Sequence, residues 1–110
     1  MDDDDLERMI GRLSAEYAEQ LPDTLAQMED LWRCVVAAEI PSLRLSELVR
    51  MAHSISGSGA TFGLPQVSKT ARELELFIEQ LAESDRQPGP AEQEAVAALL
   101  AALRRAATQS

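Results

Sequence analysis

His53 is the only histidine in a chain of 110 residues, and Cys34 is the only cysteine. An imidazole titrates near neutrality, so it can serve as a nucleophile, a proton carrier or a metal ligand. One histidine and one cysteine fall short of the four nitrogen and sulfur ligands of a structural zinc site. An enzyme with its own active site would pair a nucleophile with a base, and no second histidine is present to complete such a pair. No glycine-rich phosphate loop of the Walker type occurs either. What remains is the chemistry of the ring itself. Cys34 lies in the apolar stretch Leu31-Trp32-Arg33-Cys34-Val35-Val36, which predicts a reduced, packed thiol rather than a nucleophile.

The surroundings of His53 bear on what that ring can do. Leu45, Leu48, Ala52, Ile55, Gly59 and Phe62 recur at helical spacing and form one apolar stripe. At 100° per residue His53 falls about 130° from the middle of that stripe, so it projects from the surface. Ser46, Val49, Arg50, Ser56, Gly57 and Ala60 share its flank. A glycine inside a helix costs roughly 1 kcal/mol relative to alanine, and this segment carries two. Gly59 falls on the stripe, where it lets another helix approach. Gly57 lies one turn beyond His53 on the open side, where it leaves room for a substituent on the ring and for a docking protein. A solvated surface histidine is the plainer reading of the same position.

The elements that must position His53 read as four amphipathic helices. In the first, Leu6, Ile10, Leu13, Tyr17, Leu21, Leu25, Met28, Trp32 and Val35 keep one phase across Pro22. That continuity favours a single kinked helix over a second helix starting with Pro22 at its first position. Ile40-Pro41-Ser42 breaks the pattern, with Ser42 or Ser46 as the cap of the His53 helix. Gly63 suits its end and Pro65 the start of the third helix. There Val67, Ala71, Leu74, Ile78 and Leu81 share a face, with Phe77 beside them. Residues 85–90 read as a loop, and a last helix over about 91–107 buries Val96, Leu99 or Leu100, and Leu103. Short connections make neighbours antiparallel, which predicts an all-α, up-and-down four-helix bundle with an N-terminal helical extension, one domain over 1–110.

Composition agrees. Ala (17), Leu (15) and Glu (12) dominate, while Val, Ile and Thr total 13, a bias toward helix formers over strand formers. Ten basic against 19 acidic residues give a net charge of −9, which disfavours nucleic acid as a partner. No apolar run reaches the ~18–20 residues that span a bilayer. The run Asp2-Asp3-Asp4-Asp5 is the opposite of a basic leader, and together with the lone thiol it points to the cytoplasm.

The run His53-Ser54-Ile55-Ser56-Gly57-Ser58-Gly59-Ala60-Thr61-Phe62-Gly63 resembles the motif of the histidine-containing phosphotransfer (HPt) domain family. Met51-Ala52 before it, Leu64-Pro65 after it, and Leu74-Glu75 on the next helix also resemble the family, and so do the chain's length and helix order. The resemblance implies a four-helix bundle that relays a phosphoryl group between a histidine kinase and a response-regulator receiver domain. It implies no catalytic machinery and no cofactor of the chain's own, with magnesium supplied by the receiver. A monomer is expected.

Residue by residue, the family's phosphorylated histidine falls on His53 and its adjacent glycine on Gly57. The position 22 residues after the histidine, often glutamine or glutamate in the family, is Glu75. Its helical angle, about 80° from the stripe, predicts a place at the rim, where a carboxylate accepts the Nδ1 proton and leaves Nε2 free. Val49, Ala60 and Leu64 are the expected partner contacts. Ser56 departs from the family, which usually carries a lysine there, three residues after the histidine. Arg50, Lys69 and Arg72 are the candidates to replace that charge. The departure also supports an alternative, a helical adaptor that binds receiver or kinase domains without being phosphorylated.

Overall fold

A computed structural model describes residues 3–37, 42–84 and 86–108. They form four helices: α1 (Asp3–Ala37), α2 (Ser42–Thr61), α3 (Pro65–Ser84) and α4 (Pro90–Thr108). Each packs against two others in a closed ring, α1 on α2, α2 on α3, α3 on α4 and α4 on α1, with the broadest contact between α2 and α3. The expected four-helix bundle is the fold.

α1 continues through Pro22 as one helix, and its inward residues Leu21, Leu25, Met28, Trp32 and Val35 are all buried. At ~1.5 Å per residue its 35 residues span about 52 Å, which matches the 54 Å long axis of the molecule. The first turns of α1 therefore reach past the bundle. Leu6, Ile10 and Leu13 continue the apolar stripe but are 44%, 47% and 44% exposed. Where the extension meets the bundle, the Tyr17 and Phe62 rings pack with centroids 5.1 Å apart. Cys34 is exposed, not packed. Its neighbours Trp32 and Val35 face inward, and 100° steps carry the residue between them to the outside.

The junctions follow from local chemistry. Gly63 takes φ +76°, and the Leu64 amide reaches the Gly59 carbonyl at 2.8 Å while the Gly63 amide approaches the Ala60 carbonyl at 3.5 Å. That pairing is a Schellman stop, which needs a left-handed residue at the glycine position. Pro65 then opens α3. Ser46 lies inside α2, so it is not the cap, and the Ser42 side chain falls outside the described residues. At the start of α4 the Gly89 amide donates to Glu92 Oε1 at 2.9 Å, and Arg86 clamps both oxygens of that carboxylate. These bonds hold the Glu92 carboxyl below its usual range, the Gly89 amide contributing most. Gln87 Nε2 donates to the Val35 and Val36 carbonyls, each at 2.9 Å, closing the last turn of α1.

One core unites the helices: Leu25 and Met28 from α1, Leu45 and Leu48 from α2, Leu74 and Ile78 from α3, Val96 and Leu103 from α4. In α4 it is Leu100 that is buried, with Leu99 half-buried. No helix among the described residues is long and apolar enough to cross a membrane.

Candidate functional site

His53 stands midway along α2 with its side chain 71% exposed. Its Nδ1 lies 2.8 Å from Oε2 of Glu75 on α3. A carboxylate has no proton to give, so the Nδ1–H donates, and in the neutral ring the lone pair then lies on Nε2. Glu75 is not at the rim, as its helical angle predicts. It is 5% exposed and is the one buried charged residue among those described. The angle locates its Cα, but α2 lies against α3 here, and His53 and Arg72 cover the carboxylate. Arg72 Nη1 donates to Glu75 Oε1 at 3.2 Å. Both oxygens of a buried anion are thereby bonded, which offsets the several kcal/mol that burying an unpaired charge costs.

The seam that holds this arrangement is built from small residues. A Cβ added at Gly59 would sit 3.1 Å from the Ser68 amide nitrogen and 3.3 Å from its Cα. Any side chain there would push the α3 backbone back by a few tenths of an ångström. Ser68 Oγ donates to the Ser56 carbonyl at 2.7 Å, tying the helices one turn from His53. Ser68 was not among the sequence candidates; a small residue at the start of the helix facing a glycine was the signal for it. The Arg72–Glu75 pair was legible as an i, i+3 spacing of opposite charges.

Toward solvent the same helix is bare. Gly57 has open space, with no heavy atom within 4 Å of an added Cβ, and Thr61 Oγ1 folds back onto its carbonyl at 3.1 Å. Ala60 is exposed, while Val49 and Leu64 are half-buried against the core. Arg50 and Lys69 are exposed, and neither bonds to His53 or Glu75. The structure thus brings together His53, Glu75 and Arg72 from the sequence candidates. No group of three or more His, Cys, Asp or Glu among the described residues is placed to hold a metal ion.

The site is an exposed imidazole with one nitrogen tied to a buried carboxylate, on a four-helix bundle. The family model of the Hpt domain matches residues 12–107. The chain belongs to the Hpt domain family, whose role is histidine phosphotransfer. No curated protein and no solved structure matches it significantly.

Proposed function

We propose that this chain carries a phosphoryl group on Nε2 of His53 and exchanges it with the aspartate of a response-regulator receiver domain. A histidine kinase is the ultimate source of the group, and the setting is the cytoplasm. The observation that carries this reading is the 2.8 Å contact between Nδ1 of an exposed ring and a buried carboxylate.

In the transfer, the Nε2 lone pair forms the N–P bond as the P–O bond to the receiver's aspartate breaks. The electron pair of that bond leaves on the aspartate oxygen. The Nδ1 proton stays between ring and Glu75, so no proton has to be removed from His53. Glu75 orients the ring and compensates the positive charge that develops on it. A magnesium ion bound by the receiver would neutralise phosphoryl charge from the other side. The open surface at Gly57 and Ala60 admits the partner, with Val49 and Leu64 near the contact.

The test is chemical. Incubation with a phosphorylated receiver domain should label the wild-type chain with acid-labile, alkali-stable phosphate. His53→Ala should stay folded, losing about 1–3 kcal/mol because Glu75 Oε2 loses its partner, and take no label. Equal labelling of both proteins would place the phosphate elsewhere. Receiver binding without labelling of either would favour the adaptor reading, which Ser56 in place of lysine supports.

A further inference from the structure

Resting on the phosphotransfer reading, we propose that Arg72 is the countercharge for phosphorylated His53, supplied from α3 in place of a lysine at position 56 on α2. Transfer adds a negatively charged group across the imidazole from Glu75, a buried carboxylate. Like charges so close oppose each other, and Ser56 brings no cation. The register of the seam selects among Arg50, Lys69 and Arg72. Ser68 on α3 meets Ser56 on α2. The helices are antiparallel, so four residues onward along α3 and four back along α2 bring Arg72 abreast of Ala52, next to His53. Lys69 lies almost one turn short of that level, and Arg50 almost one turn beyond His53 on α2.

Arg72 alone is bonded to the group that holds the ring. It takes Oε1 of the carboxylate whose Oε2 takes His53 Nδ1. One of its five N–H donors is engaged there, and the side chain is 54% exposed. The remaining donors suit phosphoryl oxygens, which guanidinium groups bind in a planar fork. Arg72 would then be a positioning residue before transfer and an electrostatic partner after it.

The equilibrium between phospho-His53 and the phospho-aspartate of one receiver domain tests this. We expect Arg72→Gln to lower the phospho-His53 share about two- to tenfold, the range from exposed ion pairs to charge-assisted hydrogen bonds. Arg72→Lys should recover part of the loss, and Lys69→Gln should change it less than about twofold. Ser56→Lys should do little in wild type but restore the share in the Arg72→Gln background, where charge alone is returned. All these effects should shrink near 1 M salt, where the screening length is ~3 Å. A wild-type share in Arg72→Gln would overturn the assignment. A deficit that neither Arg72→Lys nor Ser56→Lys recovers would also overturn it, as a structural effect. If wild type itself takes no phosphate, the phosphotransfer reading falls, and the role of Arg72 with it.

Discussion

Between α2 and α3 the backbones approach so closely that a methyl at Gly59 would press on Ser68, whereas α1 and α4 leave a groove of about 560 Å³ floored by Trp32 and Leu100. Both seams carry an arginine–glutamate pair. Arg104 and Glu29 bridge α4 and α1 at the surface, with side chains 42% and 31% exposed. Such a pair in water contributes at most ~1 kcal/mol. Glu75 is instead sunk between its helices and bonded on both oxygens. The His53 ring thus sits on the seam with the broadest contact, as a preorganised site would require. Exposure of His53 and burial of Glu75 suit the proposed role, in which a nucleophile would meet a second protein while its orientation is set from below.

That contrast can be broken from either side. Gly57 and Gly59 are two residues apart, yet the same substitution should do opposite things. Gly57→Leu fills open space, so the fold should gain part of the ~1 kcal/mol a glycine costs in a helix. Transfer should fall about 100-fold, the scale of an ångström of misplacement between reacting groups. Unchanged transfer rates would show the bare surface to be incidental. Gly59→Leu should instead destabilise the bundle by about 1–3 kcal/mol through overpacking, seen as a lower denaturation midpoint. Ala101→Leu, in the α1–α4 groove, should stay within ~0.5 kcal/mol. Equal losses at 59 and 101 would remove the distinction between the seams.

Glu75→Ala should slow transfer about tenfold, the lower end for losing a group that orients a reactive ring. The Nδ1–H tautomer of His53 should become less populated by ¹⁵N NMR, and an unaltered tautomer ratio would remove Glu75 from its role. The smallest effect is expected at the root of the α1 extension. The Tyr17 hydroxyl is buried without a hydrogen bond of normal geometry, and burial pushes its pKa up, with Ser58 nearby offsetting part of this. Tyr17→Phe should therefore hold or raise stability by less than about 1 kcal/mol near neutrality. A phenol harder to ionise when folded stabilises fully below about pH 10 and progressively less as pH rises beyond it. The phenylalanine variant should lose that alkaline decline, as thermal melts at pH 8 and 11 would show.

Periodicity alone placed the inward faces of all four helices, because burial follows the 3.6-residue repeat wherever a helix has neighbours on one side. The same rule failed at Leu6, Ile10 and Leu13, where the stripe continues past the bundle and has nothing to cover it. It also misjudged Glu75. A helical angle describes one helix in isolation, whereas the Glu75 carboxylate is bonded by His53 from the neighbouring helix and by Arg72 from its own. The histidine and its glycines were legible from residue types and spacing. Glu75 as partner of the ring was legible too, through the resemblance and its spacing from Arg72. Its burial was not, since that depends on how two helices pack.

The central claim is that Glu75 holds the Nδ1 proton so that His53 reacts through Nε2. Long-range ¹H–¹⁵N NMR of the phosphorylated protein reads this directly. Phosphate is expected on Nε2 of His53, with Nδ1 still protonated against Glu75. Phosphate on Nδ1, or on any residue other than His53, would contradict it.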